Sequence, residues 1–366
     1  MYLLWNLQKH FFKIDKSTLR IGTDDSDCWT IDDSEGIWEK LIKKCDGSLK
    51  FLEILDEYEF NVRKIIKNGI NLFIEKGLIL TLDKPYKSDK WIQNNKSNIF
   101  YFNDENINGI NFQKKINKTS VTILGLGGGG FTLLEHLICI GVKKINVVDF
   151  DKIDYSNLNR QNIWTLKDIG KYKVDVAYEY AKSKDPKISI NRSYKKMKSV
   201  SDVLEQICES EWVFSCMDEP PYLLQRIVNR ACIIKNKPVV FCFCQKNNGR
   251  YFFVKKGKGG CVDCLFSEII NEDLYNFIKN LQKSNFKPIT AATSYTIQML
   301  ISIMVNEWVK TLQNEENYSV IKRIDFNTLE LKEIIKWEKN LNCVTCGNSN
   351  SSNNKFLEDF FELIKI

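Results

Sequence analysis

Two hydrophobic rhythms divide this chain. Over residues 1–82 the apolar positions come in short blocks: Leu3 to Ile14, Leu19 to Ile21 and Cys28 to Ile31 read as brief strands with turn residues between them. Ser34 then precedes a segment that sets Ile37, Trp38, Leu41, Ile42 and Cys45 on one side of a helix, and Asp46-Gly47 stops it. Ser48 is placed to cap a second short helix, Leu49 to Leu55. A third, Val62 to Lys76, gathers Val62, Ile65, Ile66, Ile70 and Phe73 on one face and ends at Gly77, before a last strand over Leu78 to Leu82.

Residues 83–98 are polar and read as a linker, and Asn103 to Lys118 reads as a surface crossing. The second rhythm starts at Ser120. Ser120 to Leu124 is a buried parallel strand by pattern, Phe131 to Gly141 a helix, and Ile145 to Val148 the next strand. Helices over Val174 to Ser183, Val203 to Cys208 and Tyr222 to Ile234 alternate with strands over Ile188 to Arg192, Trp212 to Cys216, Pro238 to Cys244 and Tyr251 to Val254. Residues 265–292 form a long connection. A buried helix, Ser294 to Thr311, and a hairpin, Val320 to Phe326 with Leu329 to Trp337, complete the pattern. Alternating strands and helices predict an α/β, Rossmann-like domain with a mainly parallel sheet over residues 99–348. Residues 349–366 form a tail with a short amphipathic helix. The first 82 residues predict a small α+β, winged-helix-like module.

Composition narrows the function classes. A length of 366 residues suits two domains, and a hydrophobic fraction of 43% is ample for a core. The net charge of +7 is spread through the chain rather than gathered in a block. The first module holds 12 Lys and Arg against 14 Asp and Glu, which argues against a nucleic-acid partner. It leaves a peptide-binding module, accepting a strand at a sheet edge, or a dimerisation domain. No signal stretch opens the chain and no apolar run reaches about 18 residues, so no membrane partner is expected. Of 12 cysteines, eight stand singly in apolar segments, which reads as reduced thiols in a cytoplasmic protein. His10 and His136 have no partner spacing and read as structural.

The chemistry concentrates after the first parallel strand. Gly125, Gly127, Gly128, Gly129 and Gly130 lie between that strand and its helix, an arrangement that brings backbone N–H groups to a phosphate. Asp149 ends the next strand about 20 residues on, where a ribose-binding carboxylate is expected. Asp151, Asn157, Asn159, Arg160, Gln161 and Lys173 follow. Hydride transfer has no use for so many polar and cationic groups beside a pyrophosphate. A nucleoside triphosphate does, and Arg160 and Lys173 would neutralise it while Asn157 and Gln161 orient it. Asp218 ends another parallel strand across from the glycines and suits Mg²⁺. Cys261-Val-Asp-Cys264 and Cys343-Val-Thr-Cys346 supply four thiolates, separated by 78 residues, for a closed structural Zn²⁺ site. Either pair alone also reads as a redox dithiol.

The glycine run with Asp149, Asn157 to Gln161, Lys173 and Asp218 resembles the ubiquitin-activating-type, ThiF/MoeB-like adenylyltransferases, over roughly residues 98–348. That family includes sulfur-carrier activators for thiamine and molybdopterin and the microcin C7 peptide-adenylating enzyme, whose layout with an N-terminal peptide module is the nearest. The resemblance implies ATP and Mg²⁺ as cofactors, Asp218 at the magnesium position, catalytic roles for Arg160, Lys173 and Asp218, and a homodimer. Two departures stand out. Relatives that pass substrate to a thiol carry a Cys in the stretch matching residues 265–292, and this chain has none there; Asn285-Phe286-Lys287-Pro288 in that stretch resembles the microcin C7 enzyme. An Arg-rich segment expected before the first strand is replaced by Asn95 to Tyr101, leaving Lys96 as the available cation. The expected function is ATP-dependent activation of a ribosomally made precursor peptide in antibiotic biosynthesis. The alternatives are adenylation of a sulfur carrier and a non-catalytic leader-presenting scaffold.

Overall fold

In the computed structural model, which describes residues 1–23, 28–284, 291–314 and 318–347, the chain forms two compact units that divide after Asn117. The first is built from β1 (Tyr2–Trp5), β2 (Phe11–Lys13), β3 (Thr18–Ile21), β4 (Trp29–Asp32), α1 (Ile37–Lys44), β5 (Asp46–Lys50), α2 (Phe51–Asp56), α3 (Phe60–Glu75), β6 (Ile79–Leu82), α4 (Lys90–Phe102) and α5 (Gly109–Lys118). Two antiparallel three-stranded sheets result, ordered β5-β1-β6 and β2-β3-β4. Leu3, Leu19, Ile21, Leu41, Ile54, Ile66 and Ile70 share one core between them and the helices.

Three expectations change here, each for a local reason. The run Leu3 to Ile14 is two strands, because buried Asn6 turns the chain: its Nδ2 donates to Gly77 O at 3.0 Å and its Oδ1 accepts from Gln8 N at 3.1 Å. Asp46 to Lys50 pairs with β1 as a strand, so Ser48 caps nothing; α2 starts later, where Glu53 accepts from Lys50 N at 2.7 Å. The stretches read as linker and surface crossing hold α4 and α5. Their polar residues hide Ile92, Ile99, Phe100 and Ile110, which bury against Leu4, Leu80 and Leu82. Burying one such side chain is worth about 1.5–3 kcal/mol, so four of them outweigh a polar composition. Lys96 lies on the exposed side of α4.

The second unit contains β7 (Ser120–Leu124), α6 (Gly128–Cys139), β8 (Lys144–Val148), α7 (Lys173–Lys184), β9 (Ser189–Ser193), α8 (Val200–Ile207), β10 (Trp212–Ser215), α9 (Leu223–Ile234), β11 (Val239–Cys244), β12 (Asn248–Val254), α10 (Val262–Ile269), α11 (Glu272–Lys283), α12 (Ser294–Asn314), β13 (Val320–Asp325) and β14 (Leu331–Lys336). One eight-stranded sheet runs β14-β13-β12-β11-β10-β7-β8-β9. Its strands from β11 through β9 are parallel, and β12 to β14 complete it antiparallel. The Rossmann-like expectation holds. The stretch 265–292 is more regular than expected: α10 extends into it and α11 follows, seated by fully buried Ile278. Asn285 to Pro288 and the tail from residue 348 lie outside the described residues. No helix among the described residues is long and apolar enough to cross a membrane.

The strand order fixes where a ligand can sit. From β7 the chain moves outward through β8 to β9, then returns to place β10 on the other side of β7. The connections after β7 and β10 therefore part in opposite directions, opening a crevice at the carboxyl ends of these two strands. The glycine run follows β7 and Asp218 follows β10.

Candidate functional site

The glycine run is shaped by contacts that only its missing side chains permit. Gly125 has φ +90°, and a Cβ there would lie 2.6 Å from Met217 and 3.0 Å from Cys216 O. A Cβ on Gly130 would lie 1.8 Å from Gly125 O, so the first turn of α6 packs directly on the loop. Gly128 abuts Ile297 of α12 and the backbone of Arg160, whereas a Cβ on Gly127 would meet nothing within 4 Å. The open side of the loop is thus at Gly127, where the amino end of α6 points free N–H groups and the positive end of its dipole toward an anion. Gly130→Ala is expected to lower stability by about 1–3 kcal/mol through overpacking, measured by urea unfolding. Gly127→Ala should leave stability unchanged and weaken nucleotide binding, measured by calorimetry.

Asp149 holds this loop from β8. Its Oδ2 accepts from Leu126 N at 2.6 Å and its Oδ1 from Asp151 N at 2.8 Å. Each carboxylate oxygen has a second lone pair, which a ribose hydroxyl could use. Burial pushes the Asp149 carboxyl above its ordinary value, and nearby Lys173 with the two backbone donors opposes that shift. Lys173, itself buried, bonds Asp151 Oδ2 at 2.9 Å and is thereby fixed beside Asp149.

The remaining predicted residues are arranged around that core with distinct tasks. Arg160 reaches its Nη1 to Ser156 O at 2.8 Å and to Asn159 Oδ1 at 3.2 Å, with its own backbone against Gly128. Asn157 Oδ1 accepts from Asp154 N at 3.1 Å and closes the turn that carries Arg160. Gln161 is buried and accepts from Trp164 Nε1 at 2.5 Å, and Trp164 packs edge-on against Phe131 of α6. These two side chains hold the loop's shape in this structure. Asp218 is exposed just past β10.

The four paired cysteines converge. Sγ separations are 3.4 Å for Cys264 and Cys346, 3.6 Å for Cys261 and Cys343, and 3.9 Å for Cys261 and Cys264, with all four sulfurs within 4.8 Å. Four sulfurs about 2.3 Å from one tetrahedral ion would stand about 3.8 Å apart, so the donor set fits zinc. Burial pushes the Cys261 thiol up, and hydrogen bonds from Cys261 and Cys264 hold Cys343 and Cys346 low. No disulfide links any of the 12 cysteines.

Pattern reading missed two groups of residues. Cys216, just past β10, and Cys242, within neighbouring β11, bring their sulfurs to 3.7 Å beside the glycine loop. Arg226 and Asp263 form a buried ion pair at 2.5 Å. Asp263 could have drawn notice, since an acid between two paired cysteines is out of place unless something neutralises it.

With this geometry in place, the comparison that decides the family is a match of the ThiF family model to residues 102–345, more than half of the chain. The chain belongs to the ThiF family. Among ThiF-family relatives, the sulfur carrier protein adenylyltransferase of Thermus thermophilus is 28% identical over 159 residues, 42% of this chain and 58% of that protein. The SUMO-activating enzyme subunit 2 of Dictyostelium discoideum is 30% identical over 150 residues, 41% of this chain and 22% of the relative. The match thus spans less than two thirds of either relative. Among solved structures, E. coli MccB with AMPCPP and MccA gives a TM-score of 0.72 at 19% identity, covering 95% of this chain and 100% of that one. PaaA gives 0.68 at 17% identity, covering 89% and 98%. At these identities the likeness is one of fold.

Proposed function

We propose that this ThiF-family chain adenylates a ribosomally made peptide with ATP and Mg²⁺, as a homodimer, in the biosynthesis of a peptide antibiotic. The observation that carries this reading is one of coverage. MccB, whose solved structures include one with MccA, matches 95% of the chain in fold, the first unit included, with a TM-score of 0.72. A peptide-activating layout accounts for the first unit, and a sulfur-carrier activator leaves it without a task. The edge strands of the first unit's two three-stranded sheets suit capture of a peptide as an added strand.

The residues then divide the work as follows. The loop at Gly127 and the amino end of α6 hold the phosphates, and Asp149 orients the ribose. Lys173, fixed by Asp151, and Arg160 neutralise the charge that develops on the departing pyrophosphate. Asp218 would hold Mg²⁺, which when bound neutralises phosphate oxygens. The peptide carboxylate, or an amide that gives up an N–H proton to the departing pyrophosphate, attacks the α-phosphorus; pyrophosphate leaves in line, and a peptidyl adenylate forms. Positioning and charge do most of this work, so a dedicated base is unnecessary. Zn²⁺ would sit on Cys261, Cys264, Cys343 and Cys346 as a structural ion.

Mass spectrometry of peptides incubated with the enzyme, ATP and Mg²⁺ tests the reading: an adenylate or its conversion product should appear, with stoichiometric pyrophosphate. Adenylation of a sulfur-carrier protein and of no peptide would overturn it. A chain beginning at Lys118 keeps the sheet, the glycine loop, Asp218 and all four paired cysteines. It is expected to bind ATP normally but to show a KM for full-length peptide raised at least tenfold, with a smaller change in kcat, because the first unit supplies uniform binding. Unchanged peptide KM would remove the recognition role from that unit.

A further inference from the structure

The buried polar face of α9 is spent on the first cysteine pair. Arg226 and Asn229, three residues apart on that face, are 1% and 0% exposed. Arg226 Nε donates to Asp263 Oδ1 at 2.5 Å, and Asn229 Oδ1 accepts from Val262 N at 3.1 Å. Val262 and Asp263 are the two residues between Cys261 and Cys264. The other oxygen of Asp263 accepts from Thr345 Oγ1 at 2.5 Å, and Thr345 lies between Cys343 and Cys346. One fully buried carboxylate therefore joins both cysteine pairs to one helix.

That helix begins at the candidate magnesium loop. Tyr222 sits at the entry to α9 with φ +64°, and Leu223 N and Leu224 N donate to Pro221 O and Pro220 O at 2.8 and 3.0 Å. Arg226 is one helical turn from that corner and Asp218 is four residues before it. On its far side the corner is braced by Gln282 Nε2 donating to Pro221 O at 3.2 Å and by Phe277 against Tyr222. A rigid helix transmits a displacement at Arg226 to its own first turn, so whatever fixes Asp263 also fixes the start of α9.

We propose that Arg226 and Asp263 are positioning residues for nucleotide activation: the cysteine cluster sets α9 through their ion pair, and α9 sets the Asp218 loop. This rests on reading Asp218 as the magnesium carboxylate. The cysteine cluster, on this view, does more than fasten residues 343–346 to α10; it is a mechanical reference for the active site.

The test must separate positioning from stability. Removing one partner leaves a buried charge and destabilises, whereas neutralising both does not. Arg226→Met and Asp263→Asn are therefore combined; asparagine keeps an acceptor for Thr345, and the two charges of the pair are removed together. The double variant is expected to retain zinc by metal analysis and to melt close to the parent. Amide exchange at Leu223 and Leu224 should accelerate at least tenfold while β10 is unchanged, and the Mg²⁺ concentration giving half-maximal enhancement of ATP binding should rise about tenfold, with binding in the absence of Mg²⁺ unaltered. A merely structural pair predicts a double variant normal in both readouts, and normal exchange, or normal Mg²⁺ dependence where Asp218→Asn shifts it, overturns the proposal. Asp218→Asn run alongside separates the two readings. If that control itself leaves the Mg²⁺ dependence untouched, the Asp218 assignment falls, and exchange at Leu223 and Leu224 alone decides whether the cluster sets α9.

Discussion

Asp218→Asn is expected to cut Mg²⁺-dependent pyrophosphate release by roughly two to three orders of magnitude while leaving the unfolding transition in place. The reason is where the residue stands. It is exposed beyond β10, on the far wall of the crevice whose near wall is the glycine loop, so the fold loses no packing when its charge is removed. A hard cation among phosphate oxygens depends on one or two anionic protein ligands, and an amide supplies no charge. The signature is a loss concentrated in kcat and in Mg²⁺ dependence, with nucleotide binding in the absence of metal preserved. Steady-state pyrophosphate assays over a Mg²⁺ series read this directly. Near-normal turnover would take Asp218 out of the site.

Much of the second unit was legible because its signals are local. A buried strand reads as a continuous apolar run, a phosphate loop as consecutive glycines, a metal site as paired cysteines. Gly130 shows why the second of these is dependable: Gly125 O occupies the space of a side chain there, so the requirement is written at one position. Asn157 and Gln161 were legible as polar residues near a phosphate but not in their present tasks. Their partners, Asp154 N and Trp164 Nε1, are set by the exact turn the chain takes.

The elements that escaped are those decided by distant packing. Residues 83–98 look like a linker by composition, and only Leu4 of β1 with Leu80 and Leu82 of β6 make Ile92, and Ile99 just beyond, worth burying. Asp46 to Lys50 carries turn residues, yet becomes a strand because β1 offers an edge to pair with, a case of tertiary context overriding local preference. The Arg226–Asp263 pair, 37 residues apart, was hidden for the same reason. Charge along a helix suggests solvent until another element covers it.

Treatment with a chelator is expected to lower the melting temperature of the second unit by about 10 °C or more, and metal analysis of the native protein should find about one zinc per chain. Structural zinc contributes on the order of 10 kcal/mol in small domains. The second unit has a large core of its own, so only part of that is lost when the ion leaves, but the local consequences are severe. Cys261 O accepts from Trp337 Nε1 at 2.9 Å, Cys264 Sγ from Asn340 N at 3.4 Å, and Gly347 N closes on Cys343 O at 2.7 Å. Residues 337–347 are thus folded around the sulfurs, and four sulfurs within 4.8 Å without a cation would repel as thiolates or lie buried as poorly bonded thiols. Cys343→Ser should reproduce most of the loss, since a serine hydroxyl is a poor zinc ligand. Zinc must survive treatment with reductant alone, because a redox pair would respond to reductant and a metal site to chelator. Protein isolated without zinc, carrying a Cys261–Cys264 disulfide and melting unchanged in chelator, would replace the structural ion with a dithiol and leave α9 anchored by Asp263 alone.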